Sequence, residues 1–283
     1  MSPEKAVEMK SITKTFGSVA ANSSVNLEVC RGEVLSLLGE NGSGKTTLMN
    51  ILAGIYFPDS GHICVGGDEV TIRSPKDAIE LGIGMVHQHF KLVDNLTAAE
   101  NIVLGLKEKG RLDRRKISAK VRALSERYGF NINPDRKIYD MSVSEKQTVE
   151  IIKVLYRGAS ILILDEPTAV LTIQETEKLF KILRSMRDDG KSIIIITHKL
   201  HEVLAISDRV SVLRKGENAG TVNTADATVQ SLTEMMVGRA VSLNIERPEP
   251  VNPRPRLIVK NLSCVDDEGI AVLDNISFTA NSG

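Results

Sequence analysis

The stretch Gly39-Glu40-Asn41-Gly42-Ser43-Gly44-Lys45-Thr46-Thr47 constrains this chain more than any other. It fits the pattern G-x-x-x-x-G-K-[ST], in which glycines let backbone N–H groups approach a polyanion with no Cβ in the way. Val34 to Leu38 before it reads as a buried strand. After it, Leu48, Ile51 and Leu52 fall at i, i+3 and i+4, and Gly54 is a helix stop. Strand, glycine-rich loop and helix in that order set the positive end of a helix beneath bound phosphates. Gly39, Asn41, Gly42, Ser43, Gly44 and Thr47 belong to the cradle, Lys45 brings a charge to the β and γ phosphates, and Thr46 offers a hydroxyl to Mg²⁺.

Bulk properties narrow the class. The 36 Lys and Arg balance 36 Asp and Glu, which argues against a nucleic-acid partner. Charged residues at 25% and apolar residues at 42% describe an ordinary globular chain. No apolar run approaches the roughly 20 residues a membrane span needs, and Met1 to Lys5 has no apolar signal region. Cys30, Cys64 and Cys264 are scattered and lack metal spacing, so a reducing cytosol is the default and all three are expected to be buried packing residues.

The first ~240 residues read as one α/β unit. Ser74-Pro75 opens a helix, and residues 97 to 158 read as mostly helical, with a capping box at Thr97 to Glu100. Strand signals return at Ile161 to Leu164 and at Ser192 to Thr197, flanking a helix capped at Thr172 to Glu175. Residues 247–256 hold four of the nine prolines and read as a stiff linker. The tail then repeats the head. Met9 to Thr13 resembles Val259 to Ser263, and Ala21 to Leu27 resembles Leu273 to Phe278, as a tandem duplication would give.

Chemistry gathers around the loop. Ile161 to Leu164 is an apolar strand ending in Asp165 and Glu166. Asp165 at such an end can hold Mg²⁺, and Glu166 can orient or activate a water against the γ phosphate. Ser142 to Glu145 is a capping box whose helix N-terminus could also dock a phosphate. His198, after the second strand, is either structural or a γ-phosphate contact, and Phe16 either stacks a nucleobase or belongs to the core. Gln88 lies between His87 and His89, a His-x-His pair with no evident third ligand.

Gly39 to Thr47, Gln88, Met141 to Glu145, Ile161 to Glu166 and His198 occur in the order and spacing of ATP-binding cassette transporter ATPases. The resemblance covers about residues 7–240 and restarts near 257. It implies a RecA-like P-loop NTPase core of α/β class, an N-terminal antiparallel β subdomain and an inserted helical subdomain at about 92–158. It divides the chain into a first cassette (1–244), a linker (245–256) and the start of a second cassette (257–283). By the same resemblance, the ligands are ATP and Mg²⁺, with Thr46, Gln88 and Asp165 around the metal. Phe16 stacks adenine, Gln88 senses Mg²⁺ and the transmembrane partner, Glu166 is the catalytic carboxylate, His198 is the switch, and Ser142 faces the ATP of a partner cassette. The partners implied are the second cassette of a longer chain and transmembrane permease subunits, with the protein peripheral on the cytoplasmic face of the inner or plasma membrane. Met85 to Val93, Glu150 to Arg157 and Asp165 to Thr172 resemble tandem ATPases of sugar and nucleoside importers, and His89-Phe90 leans toward nucleosides.

The signature departs from Leu-Ser-Gly-Gly-Gln. Met141, Val143, Ser144 and Glu145 replace the usual residues, and Thr148 stands where arginine often follows. A Cβ at Ser144 and a carboxylate at Glu145 predict slow turnover at the site that Ser142 completes. Two other readings remain: a soluble tandem ATPase uncoupled from transport, and a low-turnover regulatory module.

Overall fold

The computed structural model describes residues 4–106, 113–240, 253–266 and 269–282. The expected linker therefore lies outside the described residues except for 253–256. The chain divides into two compact units, Met1–Val241 and Ser242–Gly283.

The first unit opens with strands β1 (Lys5–Phe16), β2 (Val19–Cys30) and β3 (Val34–Leu38), then helix α1 (Lys45–Leu52). Strands β4 (Ser60–Val65) and β5 (Asp68–Val70), helix α2 (Pro75–Glu80) and strand β6 (Ile83–Val86) follow. Helices α3 (Ala98–Val103), α4 (Arg114–Tyr128) and α5 (Val143–Tyr156) come next, where a helical subdomain was expected. The unit closes with β7 (Ile161–Asp165), α6 (Ile173–Asp188), β8 (Ser192–Thr197), α7 (Leu200–Ile206), β9 (Arg209–Arg214), β10 (Glu217–Asn223) and α8 (Val229–Val237).

Two sheets organise these elements. An antiparallel sheet runs β2-β1-β4-β5, and a larger one runs β10-β9-β3-β8-β7-β6. Within the larger sheet β9, β3, β8, β7 and β6 are parallel, and β10 pairs antiparallel to β9. This is the α/β architecture that the loop and the apolar strands predict.

The apolar runs explain the layering. Every residue of β3, β7 and β8 is buried, as parallel strands covered on both faces require. Their period of two divides the core. Leu162, Leu164, Ile193 and Ile195 pack with Ile152, Leu183 and Met186 of α5 and α6. Ile161, Ile163, Ile194 and Ile196 pack on the opposite face with Leu48 and Ile51 of α1 and Val7 and Val25 of the first hairpin. Capping boxes start α2, α3, α5 and α6 at Ser74, Thr97, Ser142 and Thr172, and Asp113 caps α4.

The β1–β2 hairpin carries two residues in the left-handed region, Ser11 (φ 51°) and Ser24 (φ 47°). Each is fixed by a bond from its N–H, Ser11 to Asn26 Oδ1 at 2.9 Å and Ser24 to Thr13 Oγ1 at 3.1 Å. The second unit is the hairpin of β11 (Pro255–Val265) and β12 (Ala271–Asn281). It has left-handed residues at Asn261 and Asn275, both with φ 51°. Their N–H groups donate to Ser277 Oγ at 2.9 Å and Ser263 Oγ at 3.0 Å.

The cysteines need a correction. Cys64 is buried as expected and Cys30 is partly buried, but Cys264 is exposed on β11, because a two-stranded ribbon has no covering layer of its own.

Because Leu37 is fully buried in the middle of β3, Leu37→Ala should lower unfolding free energy by about 3 kcal/mol. Ile173→Ala, at a side chain 78% exposed, should change it by less than about 0.5 kcal/mol. Urea denaturation of the two variants measures the contrast.

Candidate functional site

The sheet order decides where polar chemistry can sit. β3 lies between β8 and β9, and β7 lies next to β8. Since these strands are parallel, the loop after β3, Asp165 at the end of β7 and His198 just past β8 emerge at one edge of the sheet. Ligands of open α/β sheets bind outside that carboxyl edge.

The loop packs against its own support. A Cβ on Gly39 would lie 2.3 Å from the Leu213 carbonyl oxygen, and one on Gly44 would lie 2.2 Å from that of Ala21. Gly44 is also left-handed (φ 97°), and it is the N-cap of α1 with no side-chain capping bond. The first N–H groups of α1 thus have no partner within the helix.

Lys45 is buried, and its Nζ donates to the carbonyls of Gly39 and Glu40, each at 2.8 Å. Burial pulls its pKa down, against the opposing pull of Glu166, Asp165 and Glu40. Asp165 is buried too. Burial and then the neighbouring Glu166 push its carboxyl up to about 6, while Lys45 and a hydrogen bond from the Thr46 hydroxyl act the other way.

Glu166 takes a left-handed backbone (φ 47°) and its N–H donates to the Ile196 carbonyl at 2.9 Å. Adjacent residues of a strand face opposite sides, so this kink breaks the alternation and brings the second carboxylate to the same edge as the first. Gln88 Nε2 donates to Glu166 Oε2 at 3.2 Å, and His198 Nδ1 lies 2.9 Å from Glu166 Oε1. Gln88, Asp165 and Glu166 line one pocket of about 90 Å³, room for a water, which occupies roughly 30 Å³. Thr46, Asp165 and Gln88 together offer the oxygen donors that a hard divalent cation prefers.

Other expected residues stand apart. Ser142 caps α5, with its hydroxyl accepting from Glu145 N–H at 3.3 Å. The Glu145 carboxylate accepts from Ser142 N–H at 2.8 Å and pairs with Arg136 at 2.7 Å, so its negative charge is offset locally. Thr172, with a smaller contribution from the Ser144 side chain, holds the Glu175 carboxyl below the usual carboxylate range. Phe16 ends β1 and is 44% exposed, so it is not core. Its ring meets Tyr56 edge-on at 5.2 Å. Among the described residues no group of three His, Cys, Asp or Glu could hold a metal, so the His87-x-His89 pair gains no third ligand.

Sequence reasoning missed several connections. Gln147 Nε2 donates to the Pro167 carbonyl at 2.5 Å, tying α5 to the segment after Glu166. Tyr56 backs Phe16, and Asn22 touches Gly44. None of these pairs is close in sequence, so no local pattern announces them. Near Gln88, a groove of about 210 Å³ opens between Ile55, Ile79, Met85, His87, Lys91 and Lys153.

Comparisons with known proteins bear on the family and the fold. Residues 22–169 match the model of the family described as ABC transporter. The chain is 44% identical to a glucose import ATP-binding protein of Haloferax volcanii, over 100% of this chain and 57% of that protein. It is 47% identical to a nucleoside import ATP-binding protein of Lactococcus lactis subsp. cremoris, over 100% of this chain and 56% of that one. The chain thus spans about half the length of the curated relatives it matches. The crystal structure of a nucleotide-free ATP-binding cassette from an ABC transporter superposes with a TM-score of 0.72 at 22% identity. That match covers 83% of this chain and 95% of the other, a likeness of fold.

The raised Asp165 carboxyl has a measurable consequence. A carboxyl that holds its proton more tightly when folded makes stability fall as pH rises, here from about 4 to about 6, with the loss complete above that. With chelator and no nucleotide, Asp165→Asn should be more stable than the parent by about 2–3 kcal/mol at about pH 8. The difference should shrink toward zero near pH 4, as read from denaturation curves at both values.

Proposed function

The chain belongs to the ABC transporter family, and from that premise we propose that it is the nucleotide-binding part of an ATPase that energises import of simple sugars or nucleosides. The observation that carries this reading is the convergence of Lys45, Thr46, Asp165, Glu166, Gln88 and His198 at one sheet edge. The import subunits among its relatives support the transport role and the choice of cargo classes.

In this reading ATP lies along the loop. The N–H groups of the loop and of the first turn of α1 receive the phosphates, and Lys45 exchanges its loop carbonyls for β and γ phosphate oxygens. Phe16, backed by Tyr56, offers a ring face to adenine. Thr46, Asp165 and Gln88 would hold Mg²⁺, and the charge it would supply would offset that of the phosphates. Glu166 orients a water in line with the γ phosphate and accepts its proton, and Gln88 and His198 fix the rotamer of that carboxylate. Ser142 serves the ATP of a second cassette.

Residues 1–244 then form a first cassette, 245–256 a linker and 257–283 the opening of a second. The matched left-handed pairs of the two hairpins support the repeat, Ser11 with Asn261 and Ser24 with Asn275. The groove near Gln88 receives a permease subunit at the cytoplasmic face of the membrane, where the protein is peripheral. Among the described residues no helix is long and apolar enough to cross a membrane.

Glu166→Gln should lower ATP hydrolysis by the whole protein at least ~100-fold while MgATP binding persists. Hydrolysis that survives the change would remove Glu166 from its role. Ser144→Gly should raise turnover, and equal rates in the two proteins would contradict a slow signature site. Co-purification with ribosomes and not with a permease would favour a soluble ATPase uncoupled from transport.

A further inference from the structure

Asn22 of β2 is fully buried beneath the loop. Its Nδ2 donates to the Gly44 carbonyl at 3.2 Å. That carbonyl also accepts the first helical bond of α1, from Leu48 N–H at 2.9 Å. The preceding Ser43 carbonyl accepts from Gly216 N–H at 3.1 Å. Two consecutive carbonyls are therefore pinned to the supporting structure. In a trans peptide the N–H points opposite to the C=O, so the N–H groups of Gly44 and Lys45 are turned to the concave side of the loop.

Two observations separate this amide from ordinary packing. Asn22 Oδ1 has no hydrogen-bond partner among the described residues, and a buried acceptor left in that state weakens a fold relative to an apolar side chain of similar size. The second hairpin supplies the comparison. Lys14 pairs with Asn22 in β1–β2, and Cys264 pairs with Leu273 at the matching register position of β11–β12. The same hairpin backbone thus forms with leucine there, so the amide serves something other than the strand that carries it. The contact is also close, since a Cβ at Gly44 would lie 2.7 Å from Nδ2.

We propose that Asn22 is a positioning residue that aims the Gly44–Lys45 peptide N–H at bound polyphosphate. This rests on the reading of the loop as a triphosphate site and adds a residue that no motif includes. Asn22 does not touch the nucleotide and acts through the Gly44 carbonyl.

The test uses the full chain with MgATP as probe, following affinity by calorimetry and the thermal midpoint without nucleotide. Asn22→Leu should weaken MgATP binding about tenfold with a midpoint at or above the parent's, because an unpartnered buried acceptor is removed. Asn22→Asp, nearly isosteric but without the donor, should weaken binding at least as much. Affinities of both variants within about twofold of the parent, or losses that only track a falling midpoint, would overturn the assignment. Lys45→Ala keeps the two readings apart. If it abolishes binding while both Asn22 variants retain it, the loop stands and the role of Asn22 falls. If the parent itself does not bind MgATP, the loop reading fails and takes the proposal with it.

Discussion

Three neighbouring parallel strands buried on both faces govern the rest of this molecule. β3, β8 and β7 have no polar side available, so every group that must meet water or a ligand is driven to their ends. The register sets those ends side by side, with Leu38 opposite Thr197 and Asp165 opposite Ile196. The lysine, the carboxylates and the histidine meet because the strands that precede them cannot slip without exposing isoleucine.

Burial gives that edge its electrical character. The ammonium of Lys45 and the carboxyl of Asp165 both lose hydration, and both shift toward their neutral forms. Each charge is therefore incompletely compensated by the protein alone. In the proposed function, a polyphosphate would supply the missing counter-charge to Lys45 and a divalent cation would supply it to Asp165. On that proposal, the instability of the site without them would be the other side of its affinity for them.

Much of this was legible in the sequence, and the reasons are local. The loop, the apolar strands and the helix starts at Thr97, Ser142 and Thr172 each depend on residues within a few positions of one another. The cluster of Glu166 with Gln88 and His198 could be assembled only by placing separate motifs beside each other. What stayed hidden depends on contacts between distant segments. Asn22 meets Gly44, Gln147 meets Pro167, and Arg136 offsets Glu145, whose carboxylate had read as added charge facing a polyanion. The left-handed turn at Glu166 was equally silent, since glutamate carries no preference for it.

The paired bulges of the two hairpins have a consequence for how relatedness is read in such chains. At the corresponding positions Asn26 gives way to Ser277 and Thr13 to Ser263, yet each left-handed N–H still finds a side-chain oxygen. What the two hairpins hold in common is the location of an acceptor atom, not the residue that delivers it. A left-handed amide asks for an oxygen within reach and not for one residue type, so asparagine, threonine and serine can serve it interchangeably while the ribbon keeps its path.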